Sequence, residues 1–296
     1  MMNNCTLCPR KCGADRLSGK TGSCGMTCEI KLARASLHMW EEPCISGECG
    51  SGTVFFSGCS LGCVFCQNKD ISSGKTGKTV TTERLCEIYF ELKQKGAANI
   101  NLVTPDHYIP QIKDSLDLAF SRNLDLPVVY NTSSYVCVDS LKLLSGYVDV
   151  YLPDMKYADG AIAGKYSFAS DYPSVASSAL DEMVKQAGTP VFDNNGMIKK
   201  GVIVRHLVLP GNVLNSKKVI KYLYETYGDD IYISIMSQYT PCTNLDKYPE
   251  INRKVTCDEY DRVVDFAHSL GVKNAFVQEG EAASESFIPS FDFEGV

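Results

Sequence analysis

Apolar positions along this chain switch repeatedly between short continuous runs and helical spacing. Thr53-Val54-Phe55-Phe56 is a continuous run and reads as a strand. Thr81 to Lys95 opens on the N-cap signals Thr81-Thr82-Glu83, carries Leu85, Ile88, Tyr89 and Leu92 at helical spacing, and stops near Gly96. Ile100 to Val103 reads as a buried strand, Tyr108 to Ser121 as a helix with Ile109, Ile112, Leu116, Leu118 and Phe120 on it, and Val128-Val129-Tyr130 as the next strand. A short helix from about Asp139 to Leu144, a strand over Val148 to Leu152 and a polar helical region around Ser174 to Gln186 follow. Val202 to Leu209 and Tyr232 to Met236 read as strands, Ser216 to Tyr227 and Asp258 to Leu270 as helices, and Asn274 to Val277 as a last strand. Strand-then-helix order predicts a parallel α/β sheet closed, or partly closed, into a barrel. In such folds the strands' carboxyl ends carry the site.

The first thirty residues break this pattern. Cys5-Thr6-Leu7-Cys8-Pro9-Arg10-Lys11-Cys12 is followed by Gly19, Gly22, Cys24 and Cys28, a stretch too poor in apolar residues to fold by core burial. A metal would supply the missing stability. Cys5, Cys8, Cys12 and Cys24 are the best set of four, with Cys28 competing for the last place. Structural zinc, a closed iron-sulfur cluster and a partly ordered thiol-rich arm all stay open.

Composition narrows the setting. Fourteen Cys in 296 residues, with no basic-then-apolar leader in Met1-Met2-Asn3-Asn4, lead us to expect a reducing, cytoplasmic and anaerobic context. A net charge of -6 gives no drive towards nucleic acid, and no apolar run approaches the roughly 20 residues of a membrane span.

Chemistry concentrates in Gly58-Cys59-Ser60-Leu61-Gly62-Cys63-Val64-Phe65-Cys66-Gln67-Asn68, directly after the first strand. Three thiolates at C-x3-C-x2-C spacing can hold three irons of a cubane cluster and leave the fourth iron open for catalysis. Half of a zinc site fits less well, because zinc favours C-x2-C pairs. A non-catalytic electron carrier or metal adaptor would close the fourth position with another Cys, and none lies at a usual distance in sequence.

This loop, with Phe65 before the last Cys, resembles the signature of the radical S-adenosylmethionine (SAM) superfamily. The wider string from Glu41-Glu42-Pro43-Cys44 through Cys66-Gln67-Asn68 resembles the pyruvate formate-lyase activating enzyme-like branch, nearly end to end. The resemblance implies a partial (β/α)6 TIM-like barrel over 51–280, a Cys-rich N-terminal extension over 1–50 and a C-terminal tail over 281–296. It also implies a 4Fe-4S cluster at Cys59, Cys63 and Cys66, and reductive cleavage of SAM to methionine and a 5'-deoxyadenosyl radical that abstracts a hydrogen. The implied partners are a low-potential donor of flavodoxin or ferredoxin type and a glycyl-radical enzyme whose backbone glycine is the target. A small molecule or another peptide stays open as substrate.

By the same resemblance Lys156 and Arg205 face the SAM carboxylate, Asp154 and Asn131 order its ribose or a cation, and Thr104 sits near its amino group. Two departures stand out: Thr104-Pro105 replaces a Gly-Gly-Glu-Pro-like segment, and Gln238 or a neighbour replaces a late His. Other polar residues have plainer readings. Glu41-Glu42 reads as a solvated pair, Trp40 as a core or interface aromatic, and Arg205 alternatively as an ion-pair partner of Asp154. His107 and His206 read as hydrogen-bonded core or rim residues, Tyr108, Tyr130, Tyr151 and Tyr239 as packing, and Cys137 and Cys242 as inert thiols with a radical-relay alternative. Cys44 and Cys49 fit no ligand rule, and the tail from Ser284 to Val296 reads as a lid or surface strap.

Overall fold

The computed structural model describes residues 2–241, 245–278 and 289–296. The strands are β1 (Ile30–His38), β2 (Ser51–Phe56), β3 (Lys78–Val80), β4 (Ile100–Val103), β5 (Val128–Thr132), β6 (Val150–Pro153), β7 (Val191–Phe192), β8 (Ile198–Leu207), β9 (Tyr232–Met236) and β10 (Ala275–Val277). Between them lie helices α1 (Pro43–Ser46), α2 (Lys69–Ser72), α3 (Thr82–Gln94), α4 (Ile109–Ser121), α5 (Val138–Leu141), α6 (Gly160–Ser167), α7 (Tyr172–Ala187), α8 (Val213–Tyr227) and α9 (Cys257–Leu270).

The sheet order is β10-β9-β8-β6-β5-β4-β2-β1-β3, and every neighbouring pair from β2 to β10 is parallel. The six strands expected by Met236 are present, and β10 extends them. Continuous burial along β2, β4, β5 and β6 explains their unbroken apolar runs: helices cover one face and the barrel interior takes the other. In α3, Thr81 accepts the Arg84 backbone N–H, and Leu85, Ile88, Tyr89 and Leu92 are buried together. Each such side chain contributes about 1.5–3 kcal/mol of burial. A capping box between Thr256 and Glu259 starts α9, and Gly271 at φ +87° ends it.

Three strands were not expected: β1, the short β3 and the short β7. The mixed pattern from Leu32 to Trp40 lies within and just beyond β1, which pairs antiparallel with both β2 and β3 and carries a bulge between Leu32 and Arg34. The chain is therefore sheet from Ile30 onwards, and a Cys-rich extension reaching residue 50 would cut through the β1–β2 pair. Residues 289–296 run along that bulge: Ala35 N–H donates to the Glu294 carbonyl at 2.8 Å, Phe293 N–H to Ala33 at 3.2 Å, and Arg34 pairs with Asp292 and Glu294. Positions 284–288 of the expected lid or strap lie outside the described residues.

Candidate functional site

The carboxyl ends of β2, β4, β5, β6, β8 and β9 surround one cavity of about 240 Å³, and Cys59, Cys63 and Cys66 line it together. The loop that carries them leaves β2 through Gly58 at φ +90°. A side chain there is excluded, because a Cβ would stand 2.4 Å from Met26 Cγ and 2.8 Å from the Cys24 carbonyl. His107 Nε2–H donates to the Ser57 carbonyl at 2.7 Å and fixes the strand's exit. From the N-terminal arm, Arg10 reaches the carbonyls of Ser60 and Leu61, both at 3.0 Å, and those of Ser167 at 3.1 Å and Phe168 at 2.6 Å. The loop is thus held from the sheet and from the arm.

Within it, Cys59 Sγ accepts the Leu61 backbone N–H at 3.4 Å, and Cys63 Sγ accepts the Ser167 hydroxyl at 3.0 Å. Burial pushes the Cys59 thiol up to about 12, with Cys66 and Cys63 adding to the rise. Burial pushes Cys63 to about 11 against the opposing pull of Lys156. Among the described residues no three Cys, His, Asp or Glu side chains stand in a ready-made metal-holding arrangement. The loop fits a cluster through its thiol spacing, its shared cavity wall and the Lys156 cation beside Cys63, which suits an anionic group.

Across the cavity the strand ends supply a buried ion network. Asp154 Oδ2 lies 2.6 Å from Lys156 Nζ, and its Oδ1 lies 3.2 Å from Arg205 Nε. Arg205 continues to Glu41 Oε2 at 3.2 Å and to Asn131 Oδ1 at 2.6 Å. Burial acts to raise the Asp154 carboxyl, but Lys156 and Arg205 overcome it and hold it below the ordinary carboxylate value. Lys156 is held above its ordinary value by Asp154 and Cys63, against its own burial. Thus Asn131, Asp154, Lys156 and Arg205 converge, and the ion pair of Arg205 with Asp154 is real. Thr104 and Gln238 line the same cavity. Gln238 is anchored through its carbonyl, which accepts Gln67 Nε2 at 2.9 Å.

Glu41 and Glu42 are not a solvated pair. Glu41 accepts Asn101 Nδ2 at 3.1 Å besides Arg205, and Glu42 is 8% exposed. Burial pushes both carboxyls up, while Arg205 pulls them down. The local sequence could not show this, because the sheet is what turns the β1–α1 connection inward. Trp40 is no core residue: it is 57% exposed and stands at the cavity wall. Asp106, a polar residue at the end of β4 to which the sequence assigns no role, is buried too. It accepts Tyr130 Oη at 2.8 Å and Thr132 Oγ1 at 2.7 Å, and burial raises it to about 6.

The two His read as core residues are such. His107 is driven down to about 3 and His206 to about 4, in both cases first by burial. His206 Nδ1–H donates to the Met155 carbonyl at 2.7 Å. Cys137 lines a different cavity, and Cys242 lies outside the described residues. In the arm, Cys5, Cys8 and Cys24 are buried and Cys12 is exposed.

With this geometry in place, comparisons add three findings. The family model of a 4Fe-4S single cluster domain matches residues 45–174, from the end of α1 to the start of α7. An uncharacterised protein of Methanocaldococcus jannaschii, MJ0674, is 29% identical over 281 residues, covering 92% of this chain and 76% of that one. Among solved structures, Streptococcus suis SuiB bound to S-adenosylmethionine matches with a TM-score of 0.52 at 14% identity, over 79% of this chain and 51% of SuiB. SuiB bound to its precursor peptide SuiA matches at 0.51 and 13%, over 75% and 46%. The FeFe-hydrogenase maturase HydG of Carboxydothermus hydrogenoformans matches at 0.51 and 11%, over 78% and 54%. The chain spans about half the length of these solved structures, and the likeness is one of fold. No described helix is long and apolar enough to cross a membrane.

Proposed function

We propose that this chain is a radical SAM enzyme. The observation that carries the reading is that Cys59, Cys63 and Cys66 share one cavity wall with the Asp154–Lys156–Arg205 network. The 4Fe-4S domain match and the fold of SAM-bound SuiB support it. When bound, a reduced cluster with one open iron supplies the electron that splits SAM into methionine and a 5'-deoxyadenosyl radical.

The chain's own residues bind and orient. Lys156 and Arg205 are the cations for the SAM carboxylate, with Asp154 keeping both charged and fixed. Asn131 offers amide contacts to the ribose, and the Thr104 turn backbone contacts to the amino group. A protein or peptide is the substrate class we favour, supported by the fold of SuiB with its precursor peptide. A backbone glycine of a glycyl-radical enzyme is the finer form of that proposal, and it rests on the sequence resemblance alone.

Anaerobically reconstituted protein given dithionite and SAM should release 5'-deoxyadenosine. Replacing Cys59, Cys63 or Cys66 by Ala should bring the yield to background. A fully loaded wild-type protein that releases none would sink the reading.

A further inference from the structure

Outside this cavity, the densest cluster of metal-ligating side chains is in the arm. Residues 2–29 contain no helix or strand. Leu7 and Met26 are their chief buried apolar side chains apart from Cys, and all the arm's thiols are free of disulfides. Something other than a core must hold the backbone turns in place.

Four sulfurs are gathered here. Cys8 lies within electrostatic reach of Cys24, Cys5 and Cys12, and Cys24 within reach of Cys5 and Cys12. Cys28 is half-buried and is not among the sulfurs that act on Cys8 or Cys24. A Cβ at Gly22 would stand 3.1 Å from Cys12 Sγ and 3.6 Å from Cys24 Sγ, so that glycine keeps the space beside both sulfurs clear. Arg16, fully buried, places Nη1 3.8 Å from Cys5 Sγ.

We infer that Cys5, Cys8, Cys12 and Cys24 form a second, closed metal site of tetrathiolate type, holding a zinc ion or an iron-sulfur unit. Four S–H protons leave to solvent on binding, and a buried Arg16 offsets the negative charge that four thiolates leave on the centre. The sulfurs do not form a preformed cage, because the ion itself draws them together. Exposed Cys12 gives the metal its way in. The role is structural: the site fixes the Cys8–Cys12 turn, and Arg10 in that turn grips the Ser60 and Leu61 carbonyls of the catalytic loop.

The test is independent of the radical reading, because it uses the chain with Cys59, Cys63 and Cys66 all changed to Ala. Purified anaerobically, that variant should retain about one zinc per chain, or iron and sulfide with visible thiolate-to-iron absorption. Adding Cys8→Ala and Cys24→Ala should remove the metal, while adding Cys28→Ala should leave it. A triple variant that is folded by circular dichroism and carries neither zinc nor iron overturns the inference. So does metal that survives the loss of Cys8 and Cys24.

Discussion

The loop at Cys59 to Cys66 and the arm at Cys5 to Cys24 are built from the same materials and stand in opposite relations to the fold. In both, the thiols are closely spaced in sequence and free of disulfides. The loop is placed by the sheet: it leaves β2, returns into α2, and faces the ion network on β6 and β8 across the cavity. The arm has no such frame, and it buries three of its four proposed ligands while the loop presents three thiols to a shared space. Three thiols on a rigid scaffold leave room for chemistry, and four on an otherwise weak scaffold can make the scaffold. The two meet at Gly58 and Arg10, so the comparison can be broken there.

The largest effect expected is at Arg10. Changing it to Ala strips four carbonyls of a charged donor, two on the loop and two at the end of α6. We expect a loss of about 3 kcal/mol in chemical denaturation and poorer cluster retention by the loop, with the arm's metal unchanged. Arg10→Lys should recover only part, because a point charge cannot span four acceptors. A change under about 0.5 kcal/mol would mean that arm and loop are energetically independent.

His107 gives a smaller, pH-dependent effect at the same contact. Its ring donates to Ser57 before the loop, and its carbonyl accepts Arg16 Nη1 from the arm at 2.7 Å. Its folded value of about 3 lies below the ordinary 6.5, so the unfolded chain binds the extra proton first. Stability is therefore complete above pH 6.5 and falls as pH drops towards 3, by about 1.4 kcal/mol per unit. His206 acts in the same direction down to about 4, while Asp106, raised to about 6, returns a similar amount as pH falls from 6 towards 3.8. Near pH 5 one His term remains uncompensated among these three groups. His107→Gln keeps an amide donor for Ser57 and removes the titration, so its stability should fall by about 1.4 kcal/mol per unit less than wild type between pH 6 and 4. Parallel profiles for the two proteins would refute the assignment.

How much of this could be read in the chain follows from range. The strands β4, β5 and β9 and the helices α3 and α9 were legible because burial on both faces and capped 3.6 periodicity are local signals. Strand β1 was hidden: a bulge at Leu32 to Arg34 breaks its alternation, and Arg34 in mid-strand looks like surface until Asp292 and Glu294 come back to meet it. In the site, Asp154, Lys156 and Arg205 were visible as charges at strand ends. Glu41 was not, since a carboxylate next to another carboxylate reads as solvent-facing unless Arg205, 164 residues away, is known to lie beneath it. Arg10 and Arg16 were invisible for the same reason, their partners being carbonyls that carry no sequence signal.

The smallest effect should distinguish the loop's side of the cavity by strain. Thr104 leaves β4 at φ +57°, a left-handed conformation that is costly for a β-branched residue, with its N–H bonded to the Asn131 carbonyl at 2.9 Å. Strain of about 1–3 kcal/mol at a cavity wall persists where it aims a backbone group at a ligand. Thr104→Gly should remove the strain and, after the extra entropy glycine gains when unfolded, leave the protein about 1 kcal/mol more stable. Thr104→Val keeps both the branch and the strain and should gain nothing, and the pair therefore separates backbone from hydroxyl. If Gly stabilises while SAM binding, read by calorimetry, weakens, the strained turn belongs to the ligand site. If Gly proves no more stable than Thr, the turn is relaxed, and the cavity wall holds no more stored strain than the arm that braces it.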